Sequence, residues 1–421
     1  MRRRTFTAAA AAVTGGSLLA ACGGGGGATD ASGEPAGTIT MWMFPVFPDS
    51  DEEVQYWERV KKAFEAEYPQ VELDLQIQPW ANRAESLSSA VASGSQPDIV
   101  YLNPDYVAQY GAMGALEPVA DRLDSTVVEN LRRSAVEGSS YDGVLYGLPI
   151  LQGARGNVWN TRMLDELGIE ELPTTWDELL SIAPDIKDAG YYVTQYSGHL
   201  EETMLHSFYP YLWQAGGEVL NDDQTAAAFN GPEGLTALEF IKTLVDEGYV
   251  PPQPLTSRVT IEQSEFATGN MAFLTVAASV AVTAQPEEDL RVAPPLDGGG
   301  GSIGTGTVGT FCPMTGSDSP AAVTAFLDFF AQSEYLEEFL RTGYFYSATE
   351  DIDSLYDPES LLGQEEALLE SITPGPIHPA GREFYGALAP NIQDVLLNDA
   401  DPQGALAASA AEVDAIIARN G

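Results

Sequence analysis

Gly94-Ser95-Gln96-Pro97-Asp98-Ile99-Val100-Tyr101-Leu102 ends one structural element and begins another. Glycine and proline punctuate a turn, and the apolar run behind Asp98 has the length and side-chain type of a strand buried on both faces. Toward the N-terminus, the spacing predicts a helix from about Trp80 to Ser93, closed by Gly94. Before it, Val71, Leu73, Leu75 and Ile77 alternate with Glu72, Asp74 and Gln76, which is strand periodicity. Ser50 and Glu53 form a capping-box pattern, followed by Val54, Trp57, Val60 and Phe64 at helical spacing until Pro69. Thr38-Ile39-Thr40-Met41-Trp42 supplies a first strand. Strand, helix, strand, helix, strand predicts an α/β fold with a doubly wound sheet. Ligands of such sheets bind outside the carboxyl ends of the strands, here the loop at Trp42, Phe44 and Phe47 and the turn at Asn103, Asp105 and Tyr106.

The later chain is richer in helix. Thr175 and Glu178 form a second capping box, and Gly231-Pro232 and Ser319-Pro320 each start a helix with proline at its first position. Residues 298–309 read as a loop, and no repeat of solenoid length is present.

At the N-terminus, Arg2-Arg3-Arg4 precedes a short apolar run that ends in Leu19-Ala20-Ala21-Cys22. A basic start, an apolar middle and small residues before a cleavage point describe an export signal over residues 1–21. Cys22 as the first mature residue resembles the bacterial lipobox, whose thiol receives a diacylglycerol. The protein is then expected outside the cytoplasm, anchored by lipid to the outer face of the cell membrane. Arg3-Arg4-Thr5-Phe6 also fits a loose twin-arginine pattern, which leaves two export routes open. Residues 22–37, rich in glycine and small polar side chains, are expected to be a flexible tether.

With 19 basic and 62 acidic residues and a formal net charge of −43, the chain repels phosphate backbones, so nucleic acid is excluded as a partner. This acidity fits either a hydrated surface or a cationic ligand, and charge alone does not separate them. At 44% hydrophobic residues, the roughly 400 residues left after the signal can bury two cores. Cys312 is the only other cysteine, so packing rather than an internal disulfide must hold them. Gly304, Gly306 and Gly309 spell a dinucleotide fingerprint, but Pro313 and turn residues follow where a helix N-terminus is needed, and no cofactor is expected. His199, His206 and His378 show no metal-ligand spacing. Glu52-Glu53, Glu201-Glu202 and Asp222-Asp223 read as solvated acidic pairs rather than glycosidase carboxylates.

Gly94-Ser95-Gln96-Pro97-Asp98-Ile99-Val100, then Tyr110-Gly111-Ala112-Met113-Gly114-Ala115-Leu116-Glu117-Pro118, resembles the first-lobe signature of family 1 extracellular solute-binding proteins of ABC importers. Tyr141-Asp142-Gly143-Val144-Leu145-Tyr146-Gly147-Leu148-Pro149, Val158-Trp159-Asn160, Pro173-Thr174-Thr175-Trp176-Asp177-Glu178-Leu179, Gln214-Ala215-Gly216-Gly217 and Phe266-Ala267-Thr268-Gly269-Asn270-Met271-Ala272 continue in the family's order. The resemblance implies a two-lobe periplasmic-binding-protein-like fold, with lobe 1 at residues 38–147 and 308–345 and lobe 2 at 150–305 and 350–421. Hinge crossovers are implied near residues 147–149, 305–310 and 346–349. It implies no enzyme, but a monomeric receptor whose cleft binds a mono- or oligosaccharide and delivers it to ABC permease subunits.

Sugar sites combine aromatic rings for C–H faces with planar polar groups for hydroxyls. On that basis Trp42, Phe44, Phe47, Asn103, Asp105, Tyr106, Gln152, Arg155, His206, Tyr209, Trp213 and Tyr346 are the candidate ligand residues, Asp105 resembling a sugar-binding acid of maltose-binding proteins. Trp57, Trp159 and Trp176 are assigned to packing. Ala277-Ala278-Ser279 stands where related sugar binders often carry an aromatic residue, and Tyr344, Tyr346 and Tyr385 are the candidates to replace it. The alternatives are a polyamine or other cationic solute receptor, an exported glycoside hydrolase, and an adhesive surface lipoprotein.

Overall fold

The computed structural model describes residues 34–420 apart from Glu201 and Ser333, so Cys22, the signal and most of the tether lie outside the described residues. The alternating N-terminal pattern gives β1 (Gly37–Met43), α1 (Ser50–Glu67), β2 (Val71–Ile77), α2 (Arg83–Ser93) and β3 (Ile99–Leu102). β1 lies between β2 and β3 and runs parallel to both. A long strand, Gly304–Pro313, adds antiparallel to β3 and pairs on its other side with Leu148–Ala154. That strand replaces half of the loop expected over residues 298–309. Backbone pairing on two sides outweighs the turn-like composition, and the glycines serve close approach: a Cβ on Gly309 would lie 2.5 Å from the Tyr101 hydroxyl.

Helix α1 is capped one residue earlier than its sequence suggests. Asp49 accepts from the amides of Asp51 and Glu52 at 2.8 and 3.0 Å. Glu53 leaves the expected box, is buried, and takes the Val46 amide at 3.0 and 3.2 Å, tying the loop after β1 to the helix. Glu53 is therefore not a solvated acid. Tyr56, Trp57, Val60 and Phe64 form the inner face, whereas Val54 is 45% exposed. Helix α2 starts at Arg83 rather than near Trp80 because Asn82 sits at φ +60°, outside helical geometry.

Trp57, Phe311, Phe330 and Phe339 meet in the first core. A second core surrounds Trp159 and Trp176, whose ring lies 4.1 Å from that of Phe240 and nearly parallel to it. Helices Trp176–Asp188, Pro232–Asp246 and Gly381–Asn398 each turn an apolar face into this core. Thr175 caps the first of them, accepting from Glu178 N at 3.2 Å, while Glu178 accepts from Thr174 N at 2.8 Å. Among the described residues the second lobe's sheet has three antiparallel strands, Gly156–Asn160 between Phe273–Val276 and Leu290–Ala293, and helices and loops make up the rest of that lobe.

Chain passes between the cores where Leu148–Ala154 leads into Gly156–Asn160 and where Gly304–Pro313 returns. Gln152 and Tyr346 exchange backbone hydrogen bonds of 2.8 and 2.9 Å at the same crossing. Gly147 is required there: a Cβ would come within 2.6 Å of both the Thr310 side chain and the Phe311 carbonyl oxygen. Ile352 and Leu355 pack against the first core, although they follow residue 350. Among the described residues no helix is long and apolar enough to cross a membrane.

Candidate ligand-binding cleft

A cavity of about 620 Å³ lies between the cores. The end of β3 builds its first wall. Asn103 leaves the strand in extended geometry, and Pro104 opens a helix over Pro104–Ala112 that turns Asp105 and Tyr106 into the cavity. Arg83 holds this wall together. Its Nη1 donates to Asn103 Oδ1 at 2.8 Å and its Nη2 to the Tyr101 carbonyl at 2.7 Å. Its guanidinium carbon lies 4.4 Å from the Phe44 and Tyr106 ring centres and 4.9 Å from that of Trp80. Trp80 is anchored by its indole N–H, which donates to the Pro45 carbonyl at 2.6 Å, yet remains 45% exposed.

The second wall carries titratable groups. Behind His206 of this wall, and outside the cleft's own lining, Glu202 accepts from Thr203 N at 3.0 Å and lies 3.2 Å from His199 Nε2 and 3.3 Å from His206 Nδ1. Burial pushes this carboxyl up, but the His206 hydrogen bond and charge and the Thr203 amide hold it down at about 2. Burial pushes Glu365 up to about 7, against the hydrogen bonds it accepts from Tyr346 Oη at 2.7 Å and Ala278 N at 2.8 Å. Arg382 crosses the cavity, its Nη1 lying 2.6 Å from Asp105 Oδ2, the one ion pair among the described residues that joins the two walls. Tyr344, at φ +57° and 42% exposed, Tyr346 and Tyr385 complete the lining. A second chamber of about 730 Å³ inside the second lobe shares Arg155, Thr203, Leu205, His206 and Thr305 with the cleft.

Of the residues expected from sequence, the cleft brings together Asn103, Asp105, Tyr106, Arg155, His206 and Tyr346. The others lie outside its lining. Trp42 is partly buried on β1 against the first core; Phe44 and Phe47 are buried, Phe47 with its ring 5.2 Å from Tyr56 and 5.3 Å from Phe339. Gln152 is buried in its strand and donates to Ser134 Oγ at 2.8 Å. Tyr209 and Trp213 fall on the inner face of their short helix, rings 5.8 Å apart in the second core. Trp57, Trp159 and Trp176 are buried in the cores. Sequence reasoning missed Trp80, Arg83, Glu202, Glu365 and Arg382. Only Trp80 left a local signal, an aromatic residue in the polar turn Gln78-Pro79-Trp80-Ala81-Asn82 that opens α2. Cys312 is buried in the strand Gly304–Pro313 with its thiol pushed up by burial, and among the described residues no acidic, cysteine and histidine cluster is disposed to hold a metal ion.

Two packed bodies of strand and helix, joined by crossing strands around a cavity of small-molecule size, define a receptor of the two-lobe periplasmic-binding-protein type. The family model described as bacterial extracellular solute-binding protein matches residues 48–337, and the chain belongs to that family. It is 26% identical over 395 residues to a putative binding protein of Brucella abortus, covering 92% of this chain and 95% of that one. It is also 26% identical to the diacetylchitobiose binding protein DasA of Streptomyces coelicolor, over 46% of this chain and 43% of that one. Among solved structures, the cyclic alpha-maltosyl-1,6-maltose binding protein of Arthrobacter globiformis superposes with a TM-score of 0.79 at 21% identity, over 92% of this chain and all of that one.

Proposed function

We propose that the chain is an extracytoplasmic receptor, tethered by lipid on Cys22, that binds a carbohydrate between its lobes and delivers it unaltered to the permease of an ABC importer. One observation carries the ligand class. Among the described residues the exposed large hydrophobic side chains include two aromatic ones, Trp80 and Tyr344, and both line the cleft. An exposed ring beside polar side chains suits a sugar, which offers C–H faces and hydroxyls together. The named ligands of the Streptomyces and Arthrobacter relatives are saccharides, which supports the same reading. A polyamine suits the cleft less well, because Arg83, Arg155 and Arg382 would face it.

In this reading the lobes comprise residues 38–147 with 308–345 and 150–305 with 350–421, except that the segment of Ile352 and Leu355 packs on the first lobe. Ligand touching both walls favours the shut form by its differential affinity, and the permease senses occupancy through shape. The test is a thermal-shift and calorimetric screen of the soluble domain against saccharides and polyamines. Saccharides should raise the melting temperature, and Trp80→Ala should weaken that response. A response to polyamines alone would overturn the ligand class, and ligand recovered cleaved would overturn the receptor role.

A further inference from the structure

Arg155 stands where the cleft meets the inner chamber of the second lobe, and it lines both. Its backbone amide donates to the Thr305 carbonyl at 3.1 Å, but among the described residues its guanidinium makes no hydrogen bond. A planar fork of five N–H donors is therefore presented to the cavity. The nearby carboxylates are engaged elsewhere: Glu202 by two histidines and Thr203 N, Glu365 by Tyr346 and Ala278 N, and Asp105 by Arg382. Glu202 and Glu365 act on Arg155 only through space. Arg83 brings a second cation to the same cavity, with no ion pair of its own among the described residues. In a chain of net charge −43, this is a local reversal of the prevailing sign.

Resting on the carbohydrate reading, we infer that the ligand is an acidic sugar, a uronate or a short oligouronide, whose carboxylate takes the Arg155 fork while its ring meets Trp80. A carboxylate matches the guanidinium geometry with two parallel hydrogen bonds and offsets its charge, whereas a neutral hydroxyl leaves that charge uncompensated and lacks the planar two-oxygen match. Local cations also counter the long-range repulsion an anion meets on approaching so acidic a surface.

The experiment is calorimetric titration of the wild-type soluble domain, at neutral pH, with uronic acids and oligouronides, each beside its methyl ester and the matching neutral sugar. The acids should bind, with each ester weaker by about tenfold or more. Arg155→Gln should erase that preference. Should this variant fail to fold, the acid-to-ester ratio on the wild type still decides the matter. Neutral sugars binding best, with esterification immaterial, would overturn the inference and leave the carbohydrate reading standing. A preference for acids that survives Arg155→Gln would overturn the role of Arg155. Binding of no saccharide of any kind would overturn the carbohydrate reading and this inference with it.

Discussion

The two walls of the cleft follow opposite plans. In the first, Arg83 lies among the rings of Phe44, Trp80 and Tyr106, and its terminal nitrogens bond Asn103 and the Tyr101 carbonyl, so the wall is fixed by its own contacts. In the second, Arg155, His206 and Glu365 line the cavity beside the small residues Ala277 and Ser279, and the Arg155 guanidinium makes no hydrogen bond among the described residues. One wall is a rigid surface for a ring. The other is a polar surface that becomes fully satisfied only when something binds, which assigns orientation to the first wall and chemical selectivity to the second.

Removing the clamp of the first wall should have the largest effect. Arg83→Met keeps apolar bulk but leaves Asn103 Oδ1 and the Tyr101 carbonyl without their donor, at a cost of about 3 kcal/mol in stability together with weaker saccharide binding. Urea denaturation beside calorimetry measures both. A loss below about 1 kcal/mol would mean that the wall is held by something other than Arg83.

Trp80→Ala separates binding from folding. The ring is 45% exposed and packs on Phe44 at 5.1 Å, so stability should change by about 1 kcal/mol or less, while a stacking contact contributes about 1.5–3 kcal/mol to affinity, roughly 10- to 100-fold. Equal losses in both would make Trp80 a packing residue.

On the second wall the informative variable is pH. Glu365, with an ordinary value of 4.5 raised to about 7, holds its proton longer in the folded chain than in the unfolded one. Between those values the folded state binds more protons, so stability from this group falls as pH rises from 4.5 to 7 and is fully lost above. His206, lowered by burial and by the Arg155 charge, acts oppositely, losing stability as pH falls below its ordinary 6.5. The difference between wild type and Glu365→Gln isolates the carboxyl: the advantage of the variant in melting temperature should grow from pH 4.5 to 7 and then level off. A flat difference would show that Glu365 titrates normally.

How much of this was legible in the sequence follows from the range of the interactions. The strand and helix order of the first lobe rests on local periodicity, and β1, β2 and β3 form at the expected places. Asn103, Asp105 and Tyr106 follow from a rule about strand ends, which is also local. Phe44 and Phe47 obeyed the same rule yet turned inward, because which side of a loop a ring takes depends on distant partners such as Phe339. Arg382 meets Asp105 from 277 residues away, and Glu365 meets Tyr346 through a loop with no regular pattern, so neither could be read before folding. The strand Gly304–Pro313 was hidden by its glycines, which give way to neighbours distant in sequence, Gly306 to Ile372 and Gly309 to Tyr101 and Leu151.

The smallest expected effect concerns the ionic contact that, among the described residues, joins the walls. Arg382 is 45% exposed at its side chain and Asp105 is 19% exposed, so screening limits the pair to about 1 kcal/mol or less. Arg382→Gln should therefore barely move the denaturation midpoint. The contact nevertheless spans the cleft, and a term of that size changes the ratio of shut to open forms by up to about fivefold when the two are close in energy. Small-angle scattering of the unliganded variant should show a larger radius of gyration than the wild type, and saturating ligand should restore the difference to zero. If the unliganded proteins scatter identically, the pair is a surface decoration of one wall, and only the ligand joins the two.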